Sequence, residues 1–208
     1  GQGEGYPHMN RRLLFLPGAG ADPAFWRPLG DLLPASWEKI YFGWPGIGHQ
    51  PPSPQVNGLN DLVTLVEASL GDTPVDLLAQ SMGGAIALQV ALRHPQQVRR
   101  IVLAVTSGGL SIADFGATDW RAAYRQEYPE SASWIMEENF DLEDQLHQIE
   151  QPTLLLWGES DPISPVAVGQ RLLELLPNAK LEIVPQGDHG FIHERPSEVL
   201  PLIRRHLT

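Results

Sequence analysis

Residues 75–84, Val-Asp-Leu-Leu-Ala-Gln-Ser-Met-Gly-Gly, are the part of the sequence that indicates the fold most clearly. Its first half is an apolar run typical of a buried strand, and a helical pattern begins directly after Ser81. A serine at so sharp a turn needs small residues two positions away on either side, and Ala79 and Gly83 meet that need. The turn would present the Ser81 hydroxyl at the carboxyl edge of the sheet, with the N–H of Met82 aimed at a developing oxyanion. Taken alone, the motif is equally consistent with a serine that caps a helix.

The same apolar pattern recurs along the chain and alternates with helical spacing. Strands that alternate with helices imply right-handed crossovers and a mostly parallel sheet with helices on both faces. The fold class is therefore predicted as α/β, with six or seven strands. The predicted strands are residues 13–16, 39–42, 75–79, 101–105, 153–157 and 181–184, and the predicted helices are residues 24–33, 59–70, 82–93, 166–176 and 196–207.

One segment, at about residues 108–150 and named here the insertion, interrupts this alternation. It contains several aromatic side chains, ten Asp and Glu residues and two Arg residues, so it holds net −8 of the chain's net charge of −11. A structureless loop of this length is uncommon in a compact domain. We therefore expect the insertion to form a short helical lid packed around its aromatic residues.

The composition excludes several classes of protein. The chain has 208 residues, of which 42% are hydrophobic and 19% charged, the balance of a globular protein. The net charge disfavours nucleic acid or an anionic membrane as a partner, and the lack of cysteine excludes disulfides and thiolate catalysis. No apolar run could span a membrane and residues 1–8 do not resemble a signal peptide, so a cytoplasmic location is expected. Those eight residues are expected to be a disordered tail or foreign to the natural chain, and residues 9–208 to form a single domain.

Two further polar residues follow predicted strands, and their side chains are of the types that a hydroxyl nucleophile requires as partners. Asp161 comes just after the strand that ends at Trp157, and His189 just after the strand that ends near Val184. A hydroxyl nucleophile needs a general base, and the base needs an acid that orients it. Because ligands gather beyond the carboxyl ends of parallel strands, Ser81, Asp161 and His189 are predicted to meet there as a catalytic triad. Alone, Asp161 is typical of a turn and His189 of a loop, so the ordered set carries the prediction.

At these residues the chain resembles the α/β-hydrolase family, whose turn around the nucleophile and chain order Ser, Asp, His match those just described. The resemblance covers nearly the whole chain, because residues 16–20 are similar to the family's oxyanion loop and residues 44–49 to its Pro-Gly-x-Gly loop. It implies that the backbone N–H groups of Ala19 and Met82 form the oxyanion hole. Ala79 stands where the family usually has glycine, and Pro17 where it usually has histidine. Few residues precede the first strand, so we expect a reduced sheet without the family's opening hairpin.

The resemblance implies a serine hydrolase that cleaves a small carboxylic ester or thioester through an acyl-enzyme, with no cofactor and no metal. The acidic insertion favours a neutral or cationic small-molecule ester over an anionic one. The substrate pocket is expected between the Ser81 turn and the insertion. Its predicted walls are drawn from Phe25, Trp26, Trp44, Met82, Leu110, Phe115, Trp134, Phe191 and Ile192.

Two other functions are open at this point. The family also contains carbon–carbon lyases and synthases of the menaquinone pathway, whose substrates carry several carboxylates and would require Arg or Lys in the pocket. The charge of the insertion argues against that class. The other alternative is a ligand-binding protein whose triad is slow or silent. The residues do not specify the acyl length, the leaving group or the oligomeric state.

Overall fold

The structure is a computed structural model that describes residues 11–208. The tail predicted at residues 1–8 lies outside the described residues, as do the first two residues of the domain predicted for 9–208. Within the described part of the chain, no helix is long and apolar enough to cross a membrane.

Within residues 11–208, six parallel strands form one sheet in the order β2-β1-β3-β4-β5-β6. The predicted α/β class is confirmed, and each of the six predicted strands is present with its ends shifted by three residues or fewer. Every side chain of the inner strands β3 and β5 is buried, whereas the edge strands β2 and β6 are half-exposed. The strands are β1 (Arg12–Leu16), β2 (Glu38–Tyr41), β3 (Val75–Gln80), β4 (Val98–Ala104), β5 (Thr153–Gly158) and β6 (Ala179–Val184).

Helices surround the sheet in two groups. In one group, Leu59–Glu67 packs against Met82–Arg93; in the other, Arg27–Gly30 packs against Phe191–Glu194 and Pro196–Leu207. A helix can begin at each strand end because the chain must cross back over the sheet before the next parallel strand starts. The α-helices of residues 11–208 are α1 (Arg27–Gly30), α2 (Leu59–Glu67), α3 (Met82–Arg93), α4 (Arg121–Glu127), α5 (Val166–Leu175), α6 (Phe191–Glu194) and α7 (Pro196–Leu207).

The helix predicted over residues 24–33 is wrong in its extent, since α1 is only four residues long. The N–H groups of Arg27 and Leu33 donate to the carbonyls three residues earlier, at 3.2 and 3.1 Å, so the chain makes turns on both sides of α1. The cause is Pro28, which lacks the N–H that a helix over the whole span would need at that position but is tolerated in the first turn of α1, which begins at Arg27.

The insertion consists of short helical turns rather than a second sheet. It contains α4 and three 3₁₀ helices at Ile112–Phe115, Ser133–Met136 and Glu143–Gln148. Its buried apolar side chains, among them Ile135, Leu142 and Leu146, belong to the same hydrophobic cluster as the sheet. All ten of its acidic residues are exposed. The insertion therefore has an apolar inner side and an acidic outer surface.

Candidate active site

The crevice that the topology creates lies between β1 and β3. The strand order reverses there, because β1 is followed along the chain by β2 on one side and by β3 on the other. Open parallel sheets bind ligands outside the carboxyl ends of their strands at such a switch point. The loop after β1, residues 17–21 and named here the β1 loop, and the turn at Ser81 after β3 both lie at this position.

Ser81 occupies a strained turn between β3 and α3. Its backbone has φ 53° and ψ −125°, a positive φ that non-glycine residues rarely adopt. A Cβ at Gly83 would lie 2.5 Å from the carbonyl oxygen of Pro17, so only glycine lets α3 begin this close to the end of β1. The small residue that sequence analysis required at position 83 thus makes room for backbone of the β1 loop.

His189 joins the other two residues of the predicted triad. Its Nε2 lies 2.9 Å from Ser81 Oγ, and its Nδ1 lies 2.7 Å from Asp161 Oδ2. The imidazole side chain is 25% exposed, whereas the Asp161 carboxylate is fully buried. The structure therefore brings together the three side chains that follow β3, β5 and β6.

The buried carboxylate of Asp161 is compensated on both oxygens. Oδ1 accepts hydrogen bonds from the N–H groups of Ile163 and Ser164, at 2.8 and 3.2 Å. Oδ2 is left for the imidazole, so a buried charge that would be costly alone has three partners. The Asp161 side chain is thereby held in one orientation, with Oδ2 toward His189.

Three polar side chains outside the predicted set hold this arrangement in place. Gln80 donates from its side-chain amide to the backbone oxygen of His189, and Thr106 donates from its hydroxyl to the backbone oxygen of Ser81, at 3.0 and 2.6 Å. The Ser164 hydroxyl donates to the Thr106 backbone oxygen at 3.0 Å, which links the Asp161 loop to the Ser81 turn. Their partners lie up to 109 residues away along the chain, so no local sequence signal could have identified them.

The two N–H groups predicted for the oxyanion hole flank Ser81. The Ala19 N–H donates to no group within residues 11–208, and the Met82 N–H lies in the first turn of α3, where a helix leaves its N–H groups unpaired. The turn around Ala19 is closed by a 3.0 Å hydrogen bond from the Ala21 N–H to the Gly18 carbonyl. A Cβ at Gly18 would be 3.0 Å from Ser81 Cβ, which shows how closely the β1 loop approaches the serine.

Trp26 and Trp44 support the β1 loop from the core. Their indole N–H groups donate to the carbonyls of Leu16 and Pro17, at 3.0 and 2.9 Å. The two side chains are 1% and 0% exposed. Backbone carbonyls at the end of β1 therefore engage the polar group of both indoles, and the role of these residues as pocket walls stays a prediction.

The other predicted pocket residues fall into two groups by exposure. Phe25 is half-buried, its ring stacks on His193 at 5.5 Å between centroids, and its carbonyl accepts a 2.7 Å hydrogen bond from His193 Nδ1. Trp134, in the insertion, is likewise half-buried against the core. The half-buried group also includes Met82 and Phe115, whereas Leu110, Phe191 and Ile192 are buried.

The insertion also carries a buried tyrosine that sequence analysis did not single out. The Tyr124 hydroxyl donates to the Ala19 carbonyl at 2.7 Å and accepts the Gly48 N–H at 2.9 Å. Its ring contacts those of Trp120 and Tyr128, with centroids 5.3 and 4.7 Å away. The aromatic residues predicted to pack inside the insertion therefore include one that reaches the β1 loop.

Within residues 11–208, no group of three or more His, Asp or Glu side chains is placed to hold a metal ion.

The chain is similar in sequence to known hydrolases along nearly its whole length. A family model for the alpha/beta hydrolase fold matches residues 11–140 and 115–196. The poly(3-hydroxyalkanoate) depolymerase of Ectopseudomonas oleovorans is 28% identical over 98% of this chain and 86% of the depolymerase. The pimeloyl-acyl-carrier-protein methyl ester esterase of Neisseria meningitidis serogroup C is 24% identical over 88% of each chain.

Among solved structures, a membrane phospholipase A that is a bacterial virulence factor superimposes with a TM-score of 0.77. It is 24% identical and covers 95% of this chain and 78% of the phospholipase, a likeness that concerns the fold alone. The match to the family model is the stronger finding, because it includes β1 to β6 and the loops that carry Ser81, Asp161 and His189. The chain belongs to the alpha/beta hydrolase family of enzymes.

Proposed function

We propose that this protein is a serine hydrolase that cleaves a small carboxylic ester or thioester through an acyl-enzyme. The observation that carries the proposal is the position of His189, whose ring nitrogens lie 2.9 Å from Ser81 Oγ and 2.7 Å from Asp161 Oδ2. A nucleophile within hydrogen-bond reach of a base that is itself oriented by a carboxylate is the arrangement that activates a hydroxyl. The name of one relative, a methyl ester esterase, supports an ester as the substrate.

The reaction follows from these contacts. Ser81 Oγ attacks the carbonyl carbon while its proton passes to His189 Nε2, and the imidazolium is stabilised by Asp161 through Nδ1–H. The negative charge that develops on the carbonyl oxygen is held by the N–H groups of Ala19 and Met82. When the tetrahedral intermediate collapses, the alcohol or thiol leaves with the proton from Nε2, and Ser81 carries the acyl group. Water then attacks this acyl-enzyme by the same steps and releases the acid.

The charge of the insertion sets the proposed substrate class. All ten of its acidic side chains are exposed, and the insertion contains only two arginines to balance their charge. Their combined field attracts cations and repels anions over about one Debye length, ~8 Å at physiological salt. A neutral or cationic ester is therefore favoured over a substrate with several carboxylates, and this argues against the polycarboxylate synthase alternative.

The test is covalent labelling of the serine combined with kinetics. A fluorophosphonate should add one phosphonyl group to the wild-type protein and none to Ser81→Ala, as measured by intact mass. Ser197→Ala, which changes an exposed serine in α7, is the matched control and should be labelled like wild type. Labelling of Ser81→Ala would show that the reactive nucleophile is another residue and would contradict the mechanism. Absence of labelling in wild type would make a silent binding protein the better description.

Steady-state rates on p-nitrophenyl esters of increasing acyl length provide the second arm. Ser81→Ala and His189→Ala should each lose ~10³-fold or more of kcat, as triad residues do when removed singly. The double variant should be scarcely slower than either single variant, because the two groups act as one unit. Retention of a tenth of the wild-type rate by Ser81→Ala, or additive losses, would contradict the mechanism.

A further inference from the structure

The hydroxyl of Tyr124 connects three separate segments at one point. It donates to the Ala19 carbonyl of the β1 loop at 2.7 Å and accepts the Gly48 N–H, from the loop after β2, at 2.9 Å. The Ser131 hydroxyl, in the insertion, lies 3.4 Å away. Tyr124 is 7% exposed, and burial raises the pKa of its hydroxyl above the ordinary value, so the group stays protonated and able to donate. A single oxygen atom therefore joins the insertion to two loops at the carboxyl edge of the sheet.

The carbonyl that accepts this hydrogen bond belongs to the central peptide of a turn in the β1 loop. The bond from the Ala21 N–H to the Gly18 carbonyl closes a four-residue turn, in which Ala19 and Gly20 are the central residues. The peptide between those two residues can rotate without breaking the turn, because glycine accepts either sign of φ. The Tyr124 hydroxyl selects one orientation of this peptide and fixes the position of the Ala19 carbonyl. The Ala19 N–H, which is proposed to bind the oxyanion, belongs to the preceding peptide and is held indirectly, because the two peptides share the Ala19 Cα.

The β1 loop has a second neighbour that depends on the same hydroxyl. Gly48 has φ 56°, and a Cβ there would lie 2.2 Å from the Gly20 carbonyl oxygen, so the two loops are in close backbone contact. Tyr124 satisfies the Gly48 N–H at that contact. Movement of either loop therefore changes the distance that the hydroxyl must span.

Other contacts dock the insertion independently of Tyr124. The N–H groups of Ala132 and Thr118 donate to the carbonyls of Gly46 and Pro162, both at 2.8 Å. Glu138 Oε1 accepts the Leu59 N–H at 2.9 Å. Removal of the Tyr124 hydroxyl alone would leave these anchors intact, so its effect on the β1 loop can be measured separately from undocking of the insertion.

We propose that Tyr124 is a positioning residue for the oxyanion hole: its hydroxyl orients the β1 loop through the Ala19 carbonyl, so the donor set is complete only while the insertion is docked. This inference rests on the proposed serine hydrolase function. It implies that any opening of the insertion for substrate entry releases Ala19, and that closure restores it.

The test compares Tyr124→Phe with Tyr128→Phe, a matched change on the adjacent ring, whose hydroxyl lies near Gly20 but interacts with Glu127 and makes no hydrogen bond to residues 17–21. In Tyr124→Phe, kcat for a neutral ester should fall about 10- to 30-fold while KM stays within twofold, because the loss concerns the transition state. The pH dependence of kcat/KM should keep its shape, since His189 and Asp161 are untouched. Tyr128→Phe should stay within twofold of wild type in both parameters.

A transition-state analogue separates positioning from general loss of structure. A trifluoromethyl ketone forms a tetrahedral adduct with Ser81, and its Ki should rise by the same factor as kcat falls, whereas the Ki of the matching methyl ketone should not change. Tyr124→4-aminophenylalanine retains a donor and should recover most of the activity. It also keeps the proposal falsifiable if Tyr124→Phe does not fold.

Equal rises of both Ki values, unchanged kcat in Tyr124→Phe, or no recovery in a folded 4-aminophenylalanine variant would each overturn the positioning role. These outcomes differ from failure of the proposed function. In that case wild type itself would show no turnover that depends on Ser81, whereas failure of this inference alone leaves Ser81-dependent turnover intact.

Discussion

Gln80, directly before Ser81 in the chain, donates from its side-chain amide to the backbone oxygen of His189 over 3.0 Å. In the sheet, β4 and β5 separate the strand that ends at Gln80 from the strand that precedes His189. Neighbouring strands lie about 4.8 Å apart, so the loop after β6 must extend back over the edge of the sheet, and the buried Gln80 amide holds it there. A residue inside the serine motif thus positions the histidine.

Gln80→Met keeps the approximate size of the side chain and removes its donor. We expect kcat/KM to fall about 10- to 100-fold, because small displacements of a base reduce proton transfer strongly, and the free energy of unfolding to fall by about 1 kcal/mol. Gln97→Met is the matched control, since the Gln97 amide also donates to a backbone oxygen, that of Gly71 at 3.2 Å, and should leave kcat/KM within twofold. Steady-state kinetics and urea unfolding measure both effects; wild-type kinetics in Gln80→Met would contradict the role.

Gly18→Ala tests the close approach of the β1 loop to the serine. The new Cβ would lie 2.6 Å from Gln80 Oε1, and Gln80 cannot retreat without releasing the His189 backbone oxygen. We expect kcat/KM to fall about 10- to 100-fold. Gly20→Ala is the control two residues away, because its Cβ would meet only the Tyr128 hydroxyl at an ordinary 3.5 Å, and it should stay within about threefold. Similar losses in both variants would mean that the loop tolerates no side chain anywhere.

The charge of the insertion predicts a salt-dependent preference among substrates. For neutral and carboxylate-bearing esters of equal size, kcat/KM should be higher for the neutral one at low salt, and the ratio should shrink as salt is raised. A preference for the anionic ester at low salt would contradict this prediction and favour the polycarboxylate synthase alternative.

A pair of charge variants locates the source of that preference. Glu127→Gln combined with Glu130→Gln removes two exposed charges beside Tyr128 and should reduce the ratio about two- to fivefold. Glu174→Gln combined with Glu182→Gln removes two exposed charges on α5 and β6 and should not change it. Equal effects of the two pairs would assign the preference to the net charge of the whole molecule.

Because His206 is largely buried, we expect the free energy of unfolding to decrease as the pH is lowered. Burial lowers its pKa from 6.5 to about 4, although its ring also donates to the Ile101 carbonyl at 2.9 Å, which acts in the opposite direction. Between these two pH values the unfolded chain binds a proton that the folded protein does not, so the free energy of unfolding should fall as the pH drops from 6.5 toward 4. At about 1.4 kcal/mol per pKa unit, reduced because the ring is partly exposed, the loss is about 2 kcal/mol.

The variant His206→Gln retains a donor for Ile101 and removes the titration. Urea unfolding at several pH values between 7.5 and 4.5 should show a shallower decline for this variant than for wild type. Parallel curves for the two proteins would mean that another group controls acid stability.

The α/β class, the six strands and the order of the three predicted triad residues could all be predicted from the sequence. These features depend on local properties: apolar runs such as residues 153–157 mark buried strands, and small residues beside Ser81 mark the sharp turn. The predicted extent of α1 is wrong because apolar spacing does not account for Pro28, which is tolerated in the first turn of a helix but interrupts the ladder of a longer one.

The contacts that hold the candidate site in place could not be predicted from the sequence and are visible only in the folded chain. Gln80 donates to the backbone of His189, Thr106 donates to the Ser81 backbone from the loop after β4, and the Trp26 indole donates to the Leu16 carbonyl at the end of β1. Tyr124 reaches Ala19 over a separation of 105 residues. The physical reason is that a hydrogen bond depends on where two atoms lie after the sheet has been assembled, and periodicity along the chain carries no information about a partner so far away in sequence.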